Sequence, residues 1–190
     1  MNNAVFLDRD GTINEQVEFL RAKKEFKFLP NSIQALKALS KSRYAIIVVS
    51  NQPVVGRGML SPKEFESVQA FIEKQYRQHG IRIDASFYCF HHPTQGIGIF
   101  NKECACRKPK PGLLLQAAKQ LKIDLSSSWM VGDRRSDIAA GKAAGTRTIL
   151  VKTGDGGEGG VDPPIKSDYI ACDLAEAVKI ILRKTQSVGQ

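Results

Sequence analysis

Asp8-Arg9-Asp10-Gly11-Thr12 sets two carboxylates two residues apart, followed by a glycine. Such a pair can project into one pocket while the glycine permits the tight turn this requires. Taken alone, the segment also fits an ordinary turn or a calcium loop. A second constellation lies further along, where Cys89-Phe90-His91 and Cys104-Ala105-Cys106 form a C-x-H and a C-x-C separated by twelve residues. Three thiolates and an imidazole suit a tetrahedral Zn²⁺, and four protein ligands leave no open position, so such a site is structural. The bland alternative is a set of unrelated buried cysteines beside a surface histidine. His92 competes as a ligand, but Cys89-x-His91 mirrors Cys104-x-Cys106, which assigns His92 to solvent or to the pocket wall. Cys172 has no such partner in the sequence and is expected in the core.

The elements around these residues alternate. Ala4-Val5-Phe6-Leu7 is a short apolar run stopping at Asp8, as a buried parallel strand does at its C-terminal edge. Ile33, Leu36 and Leu39 recur at helical spacing after Asn31 or Ser32 as the cap, and Tyr44 to Val49 forms a second strand ending at Ser50-Asn51. Ser61-Pro62-Lys63-Glu64 combines a cap, a first-turn proline and an acid three residues on, predicting a helix to about Gln78. Ser86 to Phe90 reads as a third strand, and about 20 irregular residues then need something to hold them before a helix from Gly112 to Leu121. Trp129 to Gly132, Ser136 to Ala144 and Thr148 to Val151 repeat strand, helix and strand. Residues 153 to 168, with five glycines and adjacent prolines, predict a mobile connection before a last helix from Leu174 to Leu182. The expected fold is a doubly wound, Rossmann-like α/β parallel sheet in one domain over residues 1–184, with a disordered tail at 185–190. Ligands in such sheets bind at the C-terminal ends of the strands, which points at Asp8, Ser50 and Asp133 together.

A D-x-D-G-T after a buried strand resembles the signature of the haloacid dehalogenase (HAD) superfamily of aspartate-nucleophile phosphotransferases. Ser50-Asn51, Lys108 before a helix, and Gly132-Asp133 with Asp137 follow in the order of that family's motifs, and the likeness spans roughly residues 4 to 152. The resemblance implies that Asp8 attacks phosphorus to form an aspartyl-phosphate, and that Asp10 protonates the leaving oxygen and then activates water. It further implies Mg²⁺ held by Asp8, the Asp10 backbone carbonyl and Asp133, with Lys108 and the Ser50 hydroxyl on the phosphoryl oxygens. For Asp10 to carry a proton near neutral pH, its surroundings must raise its pKa. C-x-H-H-P followed by C-x-C-R-K-P-x-P-G resembles the zinc loop of the heptose bisphosphate phosphatases, and histidinol-phosphate phosphatases carry a similar one. Ser50-Asn51-Gln52-Pro53-Val54-Val55-Gly56-Arg57-Gly58 is similar to the T-N-Q-S-G-I-A-R-G run of the heptose enzymes, with departures that include Ser50, Pro53, Val54 and Gly56. Asn51, Arg57 and Arg107 are the candidates to hold the rest of an anionic substrate.

The chain has 190 residues, 42% of them hydrophobic and 25% charged, which disfavours disordered, collagen-like and coiled-coil classes. No apolar run reaches the ~18 residues of a membrane span, and Asp8 arrives too early for a secretory signal, so a cytoplasmic protein is expected. A net charge of +9, scattered rather than blocked, suits an anionic small molecule and shows no dedicated nucleic-acid arm. No insertion is long enough for a cap domain, so the expected enzyme is an uncapped monomer acting on a small phosphorylated sugar, with no membrane or nucleic-acid partner. The alternatives are a histidinol-phosphate phosphatase, a nucleic-acid 3′-phosphatase, or a catalytically inactive zinc-stabilised binding module using the basic surface for RNA or membrane.

Overall fold

The computed structural model describes residues 2–17, 20–158 and 165–186. Six strands, β1 (Ala4–Leu7), β2 (Ala45–Asn51), β3 (Ala85–Cys89), β4 (Trp129–Gly132), β5 (Arg147–Val151) and β6 (Tyr169–Ala171), form one parallel sheet in the order β3-β2-β1-β4-β5-β6. The chain winds from β1 outward to β3 and then from β4 outward to β6, so the order reverses between β1 and β4. That reversal leaves a crevice at the C-terminal strand ends, where α/β sheets bind ligands.

Both faces of the sheet are covered, which is why the strands read as unbroken apolar runs. Val5, Leu7, Ile46, Val48 and Val131 point to one side, against α1 (Ser32–Ser40), α3 (Pro62–Gln78) and α6 (Leu174–Gln186). Ala4, Phe6, Ile47, Val49 and Met130 point to the other, against α4 (Gly112–Leu121) and α5 (Arg135–Ala144). A short α2 (Pro53–Gly56) follows β2 directly. The α3 start is the capping box its sequence predicts: Ser61 Oγ accepts the Glu64 N–H and Glu64 Oε2 accepts the Ser61 N–H.

Several expectations are corrected. Neither Asn31 nor Ser32 caps α1 through its side chain, since Asn31 is left-handed with its amide on Asp173, and Ser32 Oγ donates to the Leu29 carbonyl. β6 was not anticipated, because a three-residue edge strand carries no periodicity. α6 runs on to Gln186, two residues into the expected disordered tail, and 187–190 lie outside the described residues. Cys172 is exposed rather than in the core. Ala171 ends β6 facing inward, so its successor faces out, and the Cys172 N–H is held by Glu176. The start of the glycine-rich connection is not slack: Thr153 Oγ1 donates to the Gly11 carbonyl at 2.6 Å and the Gly157 N–H to the Asp133 carbonyl at 2.7 Å. Residues 159–164 of that connection lie outside the described residues. Among the described residues no helix is long and apolar enough to cross a membrane.

Candidate active site

Asp8 stands at the end of β1, its N–H donated to the Val131 carbonyl of β4, so the central pair of strands sets its position. Asp133 follows β4, and Asp137 lies in the first turn of α5, where its carboxylate accepts the Arg134 N–H. Ligand oxygens of these three aspartates lie within 4.8 Å of one another. Gly11 turns back with φ +82°, and a Cβ there would fall 2.3 Å from Asp133 Oδ2, so glycine lets the turn after β1 close onto that carboxylate.

Lys108 is the cation among these acids. Its Nζ lies 2.6 Å from both Asp8 Oδ1 and Asp137 Oδ1 and donates to the Val49 carbonyl at 2.8 Å. All four groups are at most 6% exposed. Burial alone would lower the Lys108 pKa, but Asp137 and Asp8 more than offset it and hold the ammonium charged. One ammonium against three carboxylates leaves an excess of negative charge. Burial first, then Asp8 and Asp137, pushes the Asp133 carboxyl up to about 8, while burial and Asp8, opposed by Lys108, push Asp137 up to about 6. A hard divalent cation with oxygen ligands suits this donor set and would remove that repulsion.

Asp10 sits in a cage of donors. Arg9, fully buried, chelates it through Nε at 3.1 Å and Nη2 at 2.8 Å, and Asn14 Nδ2 and Gln52 Nε2 add bonds of 2.8 and 2.7 Å. Burial pushes the Asp10 carboxyl upward, but the Arg9 charge and these three donors outweigh it and hold the group below the usual carboxylate range. The surroundings thus lower the pKa, where an acid role asked for a raised one, because the guanidinium that aims the carboxylate also stabilises its charge. Gln52 also donates to Ser50 Oγ at 3.1 Å, tying Ser50 to Asp10.

Asp8, Asp10, Ser50, Asn51, Arg57, Arg107 and Lys108 all line one cavity of about 310 Å³, with Asp133 beside Asp8 behind it. Asn51 differs from its expected use: its Oδ1 accepts the Lys108 N–H and its Nδ2 donates to the Lys108 carbonyl, so both amide atoms clamp the lysine backbone. Arg107 Nη1 donates to the His91 carbonyl at 3.0 Å. Burial first, with Arg57 and Arg134 as neighbouring like charges, holds the Arg107 guanidinium below its usual value, so the three share one electrostatic field. Arg134 and Gln16 line the same cavity and are bridged by Asp155, which pairs with Arg134 Nε at 2.8 Å and accepts from Gln16 at 2.7 Å. Arg134, Gln52 and Asp155 were not singled out from the sequence. Adjacency to Asp133 could have flagged Arg134, and Gln52 lies in the Ser50–Gly58 run whose likeness is described above.

Cys89, His91, Cys104 and Cys106 converge, with sulfur–sulfur distances of 3.1 to 3.5 Å and His91 Nδ1 at 3.4 and 3.8 Å from Cys106 and Cys89. The sulfur edges of a zinc tetrahedron with ~2.3 Å bonds are about 3.8 Å, so the cluster is that shape, slightly contracted. His92 turns elsewhere, its Nδ1 accepting the N–H groups of Thr94 and Gln95.

The HAD-hydrolase-like family model matches residues 105–177. A D-glycero-beta-D-manno-heptose-1,7-bisphosphate 7-phosphatase of Pasteurella multocida is 39% identical over 188 residues, 95% of this chain and 97% of that protein. The protein of the same name from Haemophilus influenzae is 38% identical, covering 96% of this chain and 98% of its own length. The crystal structure of a D,D-heptose 1,7-bisphosphate phosphatase from B. bronchiseptica, complexed with magnesium and phosphate, superposes with a TM-score of 0.82 at 30% identity, covering 96% of this chain and 99% of that one. Sequence likeness sustained over 95% of the chain, on a superposable fold, makes this chain a member of the HAD-like family of heptose-1,7-bisphosphate 7-phosphatases.

Proposed function

We propose that the chain hydrolyses the 7-phosphate of D-glycero-D-manno-heptose 1,7-bisphosphate through an aspartyl-phosphate on Asp8. One observation carries the reading: the Lys108-paired Asp8 and three arginines, Arg57, Arg107 and Arg134, line a single cavity. A substrate with a phosphate at each end needs a nucleophile at one pole and fixed cations at the other. Histidinol phosphate would bring its cationic amine against those arginines, so the same lining disfavours it.

An Asp8 carboxylate oxygen attacks phosphorus, the bond from phosphorus to the sugar oxygen breaks, and Asp10 supplies the proton that oxygen needs. Lys108 and the Ser50 hydroxyl hold the phosphoryl oxygens, and Asn51 keeps Lys108 in place. Asp10 then takes a proton from water, which attacks phosphorus and releases inorganic phosphate with the Asp8 carboxylate restored. At rest Asp10 is ionised, ready for the second half; an arriving phosphate dianion opposes the Arg9 field and shifts it toward the protonated form that the first half uses. Asp8, the Asp10 backbone carbonyl and Asp133 would hold Mg²⁺, which when bound neutralises phosphoryl charge and lets a dianion approach a carboxylate. Cys89, His91, Cys104 and Cys106 would hold a structural Zn²⁺ that orders the loop carrying Arg107 and Lys108. As part of the same proposal, the enzyme works as a monomer in the cytoplasm, and size-exclusion chromatography with light scattering checks the first point.

The test is Mg²⁺-dependent phosphate release from heptose 1,7-bisphosphate and histidinol phosphate side by side, with Asp8→Asn as the blank. The expected preference for the bisphosphate is ~100-fold in kcat/KM, about 2.7 kcal/mol of transition-state discrimination. Preference for histidinol phosphate would overturn the substrate, and turnover by Asp8→Asn would overturn the mechanism.

A further inference from the structure

Asn51 and Gln52 are consecutive amides at the end of β2, and they hold different halves of the site. Asn51 clamps the backbone of Lys108, whereas Gln52 reaches Asp10 and Ser50. Gln52 is itself fixed: its N–H donates to the Cys89 carbonyl at the end of β3 at 2.7 Å, and only 4% of the residue is exposed.

A primary amide carries two N–H bonds on one nitrogen, and Gln52 Nε2 directs one to each neighbour, at 2.7 Å to Asp10 Oδ2 and 3.1 Å to Ser50 Oγ. Ser50 Oγ receives an amide hydrogen, so its own proton is left to donate, and among the described residues that proton has no acceptor. The hydroxyl lines the cavity, where its proton suits a phosphoryl oxygen. For Asp10 the other donors are local. Arg9 and Asn14 lie within four positions of it, so they fix the carboxylate relative to its own turn. Gln52, 42 positions away and following another strand, fixes it relative to the group that meets the phosphate.

We propose that Gln52 is a positioning residue: its single amide nitrogen holds the Asp10 carboxyl and the Ser50 hydroxyl in register, the first aimed at the leaving oxygen and the second at the phosphoryl group. This rests on the reading of Asp10 and Ser50 given above. Without the amide, Asp10 keeps its turn but loses its register with the phosphate, and a proton donor out of line with the leaving oxygen cannot assist its departure. The loss then depends on how much the leaving group needs a proton. A sugar alkoxide needs one, whereas p-nitrophenolate is a weak base and departs without it.

The test measures kcat/KM for the full-length Mg²⁺-loaded protein and for Gln52→Met on heptose 1,7-bisphosphate and on p-nitrophenyl phosphate. This ratio covers the steps up to departure of the leaving group and excludes hydrolysis of the aspartyl-phosphate. The expected loss is about 30-fold on the sugar phosphate and at most about threefold on the aryl ester, with the Asp10 and Ser50 side chains turned from their wild-type directions in a crystal structure of the variant. Gln52→Glu, with the same shape but at most one O–H in place of two N–H bonds, should show the same selective loss and serves if Gln52→Met does not fold. Equal losses on the two esters, no loss on either, or unmoved Asp10 and Ser50 side chains would overturn the role of Gln52. Asp10→Asn on the same pair separates the two levels: a selective loss there with none in Gln52→Met removes Gln52 alone, whereas equal losses in Asp10→Asn would overturn the acid reading of Asp10, and Gln52 with it.

Discussion

The aspartate cluster and the Cys/His cluster each gather metal-type ligands within 4.8 Å, yet they are built in opposite ways. Asp8 comes from a segment more than a hundred residues from that of Asp133 and Asp137, and the three are buried at the ends of β1 and β4 and in the first turn of α5. Cys89, His91, Cys104 and Cys106 come from one stretch of 18 positions, and no residue from His91 to Arg107 is buried. The sheet therefore imposes the acid cluster against its own repulsion, whereas the loop has no buried core of its own and rests on partly buried contacts such as those of Phe90 and Phe100 with Val54, Val55 and Phe65. A cation would relieve repulsion in the first case and would tie the loop together in the second.

The largest effect that would break this contrast concerns Asp8. Asp8→Asn should lower kcat by ~10⁴-fold or more with an unchanged far-UV circular dichroism spectrum, because the sheet rather than the carboxylate sets the local fold. A comparable loss of structure would show that the acid cluster holds the fold together.

Next in size, Lys108→Met should destabilise the protein by about 3–5 kcal/mol in denaturant melts at neutral pH, since it strands buried carboxylates without their partner. A loss below ~1 kcal/mol would mean that the buried charges matter less than their burial implies.

The repulsion itself has a pH signature. In magnesium-free buffer Asp133 and Asp137 are pushed up to about 8 and about 6, above the ~4 of an unfolded chain. The folded state then binds more protons than the unfolded state between about pH 4 and 8, so stability is greatest at the acid end and falls as pH rises through that window. Tm should decline from about pH 5 to 8, and saturating Mg²⁺ should flatten the slope by favouring the ionised carboxylates. A Tm rising over the same range would contradict the excess of negative charge.

The smallest effect sharpens the other side of the comparison. His91→Ala should lose the zinc detected by atomic absorption, while His92→Ala should keep it and cost only about 1 kcal/mol, the value of its bonds to the Thr94 and Gln95 N–H groups. Equal zinc loss in both would remove the distinction between the two histidines.

Particular residues mark how far the chain could be read before it was folded. β1, β2 and β4 were legible because parallel strands covered on both faces are apolar throughout, and each ends at a polar residue facing the crevice. The Cys/His cluster was legible because its four ligands are close in sequence. β6 was not, since Tyr169-Ile170-Ala171 is too short to show a period, and Ile170 is exposed at the sheet edge. The same absence of local signal hid the bridge from Asp155 to Arg134 and Gln16, and the clamp of Asn51 on Lys108. Those contacts join residues as much as 139 positions apart.

Residue chemistry and local periodicity were enough to single out the paired acids after β1, the thiolates and the strands that deliver them, because each depends on side-chain type and near neighbours. The charge state of Asp10, the partner of Asn51, the place of Cys172 and the close approach of Gly11 to Asp133 were decided only in three dimensions. A pKa or a steric limit is a sum over whatever the folded chain brings within a few ångströms, and distance along the sequence says nothing about that sum.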